Sequence, residues 1–290
     1  MTLTISGYST ALFSTWYFIE ELGLLFDCGD GMVSAMLQKS RKIEHIFISH
    51  PDRDHITGLL QLNQLNAREG FPIINYPRDC KSFPALRDFS VKFDPHVRGT
   101  VWHPLEDRER VWIRKDIYVE ALRNNHVPAP ENVFRSFGFK VVQVKHKLKP
   151  EYVSLPPLEI KKVIDSLGKE ATHTMVETIL LCYTGDTPAE NFAYWNNSKI
   201  LIHEATFLDD EVEIQSHRNK HSRLEDVLTG VKNINVETLI LGHFSSRYSN
   251  EQIDSSIIEL CRKHDIKIPV YRVLPGQTLF DILSMKPLTV

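Results

Sequence analysis

Apolar residues recur along this chain with two different periods. Alternating or unbroken apolar runs at Trp16–Ile19, Leu24–Asp27, His45–Ser49, Thr100–Trp102, Arg110–Ile113, Gly138–Val144, Thr178–Tyr183, Ile200–His203 and Thr238–Gly242 predict strands. Helical spacing marks Met32–Lys39, Thr57–Asn66, Pro157–Ser166, Arg223–Lys232 and Gln252–His264. Ser222 with Glu225 three residues on has the spacing of a capping box and sets the expected start of the fourth of these helices. Many strands with helices between them and no internal repeat predict an α/β fold of sheets flanked by helices.

The chain has 290 residues, 42% hydrophobic and 24% charged, enough to bury a large core. No low-complexity linker divides it, and Leu155-Pro156-Pro157 is the one notable proline cluster, so a single domain over 1–290 is expected. The stretch Lys145–Thr178 has mixed charges and weak periodicity, which predicts an insertion or a mobile surface element.

A formal charge of −3 argues against a broad nucleic-acid coat and confines any RNA contact to a local patch. Cys28, Cys80, Cys182 and Cys261 are far apart and form no CxxC pair, so neither a disulfide framework nor a cysteine zinc knuckle is expected. Buried free thiols in a reducing compartment fit better. The start of the chain lacks the basic flank and apolar run of a signal peptide, and nowhere do eighteen apolar residues follow one another. A cytoplasmic protein without a membrane partner is therefore expected.

Candidate chemistry clusters where apolar strands end. Ile46–Gly58 runs from a strand into His50, Asp52, Asp54 and His55, four potential ligands in six residues. Neutral imidazole and ionised carboxylate both suit divalent cations, and a loop at a strand end can turn such side chains towards more than one ion. The same ending recurs at Tyr183-Thr184-Gly185-Asp186-Thr187, at His203-Glu204-Ala205-Thr206-Phe207, at His221-Ser222 and at His243 to Tyr248. Each alone is weak, since an aspartate in a turn is ordinary. Their repetition implies one shared site.

Together these segments resemble the metallo-β-lactamase superfamily, and within it the ribonuclease Z branch. Leu25-Phe26-Asp27-Cys28-Gly29-Asp30-Gly31 resembles the family's early FDCGEG-type turn, and His50–His55 resembles its HxHxDH signature. Asn125-His126-Val127-Pro128-Ala129 looks like the third metal motif, Tyr183–Thr187 like the bridging-aspartate motif, and His221-Ser222 like HST. His203–Thr206 reads HEAT, and His243–Tyr248 is similar to HFSxRY, a combination specific to the ribonuclease Z branch.

The resemblance implies an αβ/βα sandwich of two mixed sheets flanked by helices. It implies two divalent metal ions, one held by His50, Asp52, His126 and Asp186, the other by Asp54, His55, His243 and the same Asp186. It further implies a bridging water or hydroxide that attacks phosphorus, with Asp54 orienting it or taking its proton, and with His221 as the acid for the departing oxygen, held by Glu204. Two histidines compete with this assignment: His146 with His126, and His217 with His221. His203 reads either as an orienting partner or as a core group.

The chain departs from the family pattern at three places. Asp52 replaces the usual second histidine, and its harder oxygen opens a centre that would be zinc to manganese, iron or magnesium. The interval from 126 to 186 carries Lys140, Lys145, Lys147, Lys149, Lys161 and Lys162 but no glycine-rich tip like that of the family's RNA-binding arm. Gly7-Tyr8-Ser9-Thr10-Ala11 lacks the usual Arg-Asn. The leading expectation is a metal-dependent phosphodiesterase that cleaves the 3′ trailer of precursor tRNA, as a homodimer by family resemblance, with no DNA partner. A metallo-β-lactamase-fold hydrolase of a small substrate, such as a cyclic nucleotide, simple phosphodiester or lactone, is the alternative. A non-catalytic binding module is the third reading.

Overall fold

The computed structural model describes residues 1–208 and 220–289. Two sheets form its centre. The first holds β1 (Ile5–Thr10), β2 (Ser14–Ile19), β3 (Leu24–Phe26), β4 (His45–Phe47), β5 (Ile73–Pro77) and β6 (Val101–Leu105), in that order across the sheet. The second holds β7 (Arg110–Arg114), β8 (Ile117–Arg123), β9 (Phe137–Leu148), β10 (His173–Tyr183), β11 (Ser198–Glu204), β12 (Val236–Gly242) and β13 (Val270–Arg272), likewise in sequence order. In each sheet the leading strands pair antiparallel and the later ones parallel, so both are mixed, as expected.

The strands read as apolar because both of their faces are covered. In β2, Tyr17 and Ile19 enter the core between the sheets, while Trp16 and Phe18 face the helices outside. In the second sheet, Ile200, Ile202 and Ile240 face inward, and Leu201, Leu239 and Leu241 face the outer helices. Among the described residues the α-helices are α1 (Met32–Met36), α2 (Arg53–Ile56), α3 (Leu59–Asn66), α4 (Ser82–Phe93), α5 (Pro157–Leu167), α6 (Lys169–Thr172), α7 (Leu224–Lys232) and α8 (Asn250–Lys263). Leu59, Leu62 and Phe83 cover the first sheet, and Val227, Leu228, Ile253 and Ile257 cover the second. The layers are therefore helix, sheet, sheet, helix.

One expectation changes. The capping box belongs to α8, not α7: Ser249 accepts the Gln252 N–H at 3.2 Å, and Gln252 Oε1 accepts the Ser249 N–H at 2.8 Å. Ser222 is occupied elsewhere, donating its hydroxyl to the Thr187 carbonyl and its N–H to Glu204, so α7 begins only after Arg223. The weakly periodic stretch forms a two-stranded ribbon. β9 and β10 stay paired out to Leu148 and His173, and α5 and α6 close its end. Among the described residues no helix is long and apolar enough to cross a membrane.

Candidate metal centre

One end of the sandwich collects the strand ends that carry the polar residues. The loop after β4 supplies His50 and Asp52, and α2 behind it supplies Asp54 and His55. His126 follows β8, Asp186 follows β10, Glu204 closes β11 and His243 follows β12. His243 has φ of 60°, a left-handed conformation uncommon for a side-chain-bearing residue and typical of functional corners. These strands point the same way, so residues far apart in sequence meet at one rim.

The other six candidate ligands come together around Asp186. Its Oδ2 lies 3.6 Å from His50 Nε2, 3.2 Å from His55 Nε2 and 3.3 Å from His243 Nε2. Asp52 Oδ2 stands 3.6 Å from His50 Nε2 and 3.7 Å from His126 Nε2. Asp54 Oδ2 stands 3.6 Å from His55 Nε2 and 3.4 Å from His243 Nε2. Five imidazoles, His50, His126, His221, His243 and His55, close into a ring, neighbouring centroids being 4.1 to 5.5 Å apart.

The donor set fits divalent cations. His50, His55 and His243 each bury an Nε2 that has no hydrogen-bond partner among the described residues, and each of these atoms faces carboxylate oxygen. Bare nitrogen lone pairs and carboxylates repel one another unless protons or cations stand between them. The groups His50/Asp52/His126, His50/His55/Asp186 and Asp54/His55/His243 each have ligand atoms close enough for one ion. Fold and cluster together point to divalent metal binding.

The imidazoles also set the charge of the carboxylates. The neighbouring His126 and His50 imidazoles hold the Asp52 carboxyl far below the usual carboxylate range. Burial opposes ionisation of Asp54, but His243 and His55 outweigh it and bring the carboxyl to about 2. Burial likewise opposes the charge on Asp186, and His243 and His55 again prevail.

His221 belongs to the same ring but is wired differently. Its Nδ1 donates to Glu204 Oε1 at 2.9 Å. Burial disfavours the imidazolium, yet the Glu204 carboxylate pushes its pKa up to about 9. Among the described residues His203 joins no ligating group: it is buried, stacked 5.4 Å from Phe192, and donates Nδ1–H to the Glu204 carbonyl. His146 is exposed on the ribbon, away from the ring. His217 lies outside the described residues.

A family model for the beta-lactamase superfamily domain matches residues 23–244. A tRNase Z of Arabidopsis thaliana is 30% identical over 270 residues, spanning 89% of this chain and 89% of that protein. The chain belongs to the ribonuclease Z family. Among solved structures, the short form of human tRNase Z superposes with a TM-score of 0.59 at 20% identity, covering 95% of this chain and 98% of that one. A metallo-β-lactamase-fold protein of Bacillus subtilis gives a TM-score of 0.66 at 14% identity, covering 96% of this chain and 100% of its own. These structural likenesses speak for the shared fold.

Within this ribonuclease Z family member, several residues in or beside the motifs stand behind the centre although sequence reasoning gave them no role. Asp27 reads in the sequence only as part of a turn, yet it is fully buried and accepts a hydrogen bond from His55 Nδ1 at 2.7 Å. Ser49, Thr206 and Tyr183 contribute hydroxyls behind the ring, and they carry no ligand signature of their own. The turn between β1 and β2 reaches the site by backbone alone: the Leu12 N–H donates to Asp54 Oδ2 at 3.0 Å. A side-chain motif cannot register that contact.

Proposed function

We propose that this chain is a metal-dependent phosphodiesterase, a ribonuclease Z-like endoribonuclease that removes the 3′ trailer of precursor tRNA. The observation that carries the reading is the gathering of six ligand-type side chains, from strand ends of both sheets, about the Asp186 carboxylate in a relative of tRNase Z. His50, Asp52, His126 and Asp186 are assigned to one divalent ion, and Asp54, His55, His243 and Asp186 to a second. Zinc suits the imidazoles, and Asp52 admits manganese, iron or magnesium. Ions held there would supply Lewis acidity towards a phosphodiester and acidify a water.

The protein's own groups then divide the work. Asp54, ionised and tethered by the Leu12 N–H, orients the nucleophile or accepts its proton. Glu204 grips His221 by Nδ1 and leaves Nε2 to deliver a proton to the departing oxygen. A groove of about 740 Å³ opens beside His221, lined by Asn125, Ala129, Lys220 and Asn233 among others, and gives the leaving segment a path. The cleft over the ring, about 100 Å³, is bordered by Phe207 and Arg247.

The ribbon formed by β9 and β10 is assigned to RNA capture. Lys140 is paired with Glu120, and Lys149 donates to the Ala171 carbonyl, so both are engaged within the fold. Lys145, Lys147, Lys161 and Lys162 are exposed on the ribbon and its helical end. Replacing these four by Ala is expected to weaken precursor tRNA binding and flatten its salt dependence, while hydrolysis of bis(p-nitrophenyl) phosphate stays unchanged. An unaltered salt slope would remove the ribbon from the reading.

Asp52 makes a separate prediction. Apo-protein reloaded with manganese, iron or magnesium is expected to retain activity, and Asp52→His is expected to narrow that range towards zinc. Activity with zinc alone in both forms would overturn the role given to Asp52. Burial of all four free cysteines fits a reducing, cytoplasmic setting, and a single-domain chain working as a homodimer completes the proposal.

The deciding experiment incubates the metal-loaded protein with precursor tRNA bearing a 3′ trailer and maps the cut. Cleavage next to the discriminator nucleotide, leaving a 3′-hydroxyl, is expected. Hydrolysis of bis(p-nitrophenyl) phosphate without cleavage of any precursor tRNA would point instead to a small-substrate hydrolase.

A further inference from the structure

Two buried carboxylates, Asp27 and Glu204, stand behind the imidazole ring, and the direction of every hydrogen bond they take part in can be worked out. An ionised carboxylate only accepts, and a hydroxyl has one proton to give. Asp27 Oδ1 accepts the Ser49 N–H at 2.7 Å, and Oδ2 accepts His55 Nδ1–H at 2.7 Å together with the Tyr183 hydroxyl. Ser49 Oγ lies 3.0 and 2.8 Å from the two oxygens, so its proton goes to Asp27. Its lone pair is left to accept Nδ1–H of His50 at 2.9 Å.

Glu204 repeats the pattern. Oε1 accepts His221 Nδ1–H at 2.9 Å and the Thr187 N–H at 2.8 Å. Oε2 accepts the Thr206 hydroxyl at 2.6 Å, with the N–H groups of Thr206 and Ser222 at 3.2 and 3.1 Å. The Thr206 proton is thereby committed, and its oxygen accepts Nδ1–H of His243 at 2.9 Å. Each carboxylate thus takes one histidine directly and one through a hydroxyl.

We infer that Ser49 and Thr206 are positioning residues that lock His50 and His243 as the Nδ1–H tautomers, turning each Nε2 lone pair to the centre. The inference rests on the metal-centre reading and adds to it a division of labour. Ser49 acts on the ion that His50 helps to hold, and Thr206 on the one that His243 helps to hold. Glu204 joins a candidate ligand to the candidate acid, and Thr206 is where the two branches separate.

The test titrates apo-protein with zinc against a competing chelator, for wild type, Ser49→Ala, Ser49→Thr, Thr206→Val and Thr206→Ser. Ser49→Ala and Thr206→Val are each expected to weaken one zinc equivalent by roughly 10- to 100-fold, the usual effect of removing a group that orients a ligand. Ser49→Thr and Thr206→Ser, which keep the hydroxyl, are expected to restore the affinity. Proton NMR of the zinc-loaded protein is expected to lose one slowly exchanging imidazole N–H in each hydroxyl-free variant, and a different one in each. Thermal unfolding of the apo forms identifies a variant that fails to fold, in which case the other relay carries the test. Undiminished zinc affinity in the folded hydroxyl-free variants, or no rescue by the conservative ones, overturns this inference alone. Failure of the wild type to take up zinc, manganese, iron or magnesium overturns the metal-centre reading with it.

Discussion

Asp186→Ala is expected to lower phosphodiester hydrolysis by roughly 10⁴-fold, about 5.5 kcal/mol of transition-state stabilisation, and to strip the centre of metal. Its Oδ2 lies within 3.6 Å of Nε2 of His50, His55 and His243, so one carboxylate serves both halves of the ring. Removing it leaves a closed circle of imidazoles with no shared anion, and a cation on either side loses its neighbour's ligand as well as its own. Asp52→Ala should be milder, because among the described residues Asp52 is set against His50 and His126, and its side chain is 58% exposed. Metal analysis and turnover measured on the same preparations check both. Asp186→Ala with wild-type metal content and turnover within tenfold of wild type would refute the two-ion assignment.

His221→Ala is expected to cut turnover by roughly 10²- to 10⁴-fold, the range of a well-placed general acid, with metal content near that of wild type. His243→Ala should lower both. The contrast comes from wiring: His243 presents a bare Nε2 to Asp54 and Asp186, whereas His221 is gripped at Nδ1 by Glu204. The pH profile supplies a second check. An acid acts only while protonated, and the His221 pKa is raised, so its activity is present below the folded-state value and lost as pH rises through it. The basic limb of the rate profile is expected no higher than about 9, since nearby cations would draw it down. Glu204→Gln should move that limb further to acid by removing the charge that favours the imidazolium. Equal metal loss in His221→Ala and His243→Ala would overturn the assignment of roles.

Much of the fold was legible because its strands are covered on both faces, which writes them as apolar runs. The exceptions have particular causes. β1 reads Ile5-Ser6-Gly7-Tyr8-Ser9-Thr10, and its buried Ser6, Ser9 and Thr10 look like turn residues out of context. In β8, Glu120 interrupts the apolar pattern, yet Arg110 and Lys140 pair with it across the sheet. α4 lacks a side-chain cap, carries Pro84 in its first turn and leaves Phe89 and Phe93 exposed, so no clear stripe marks it. α1 stops after five residues because Leu37 turns to φ of 47°, where the periodicity alone would continue.

Local sequence by itself determined which side chains stand at each strand end, because an apolar run followed by His, Asp or Glu is complete within a few residues. His50, Asp52, Asp54, His55, Asp186 and His243 were all visible in this way. Tertiary structure alone decided how they meet. Strand order and the stacking of two sheets through a common core place the ends of β4, β8, β10, β11 and β12 at one rim. The same packing carries His146 out on the ribbon while His126 turns in to Asp52. It also sets Asp27 and Glu204 behind the imidazoles, where the one-way chemistry of a buried carboxylate orients each ring. Such distances and bond directions belong to pairs of residues remote in the chain, and a one-dimensional pattern holds no record of them.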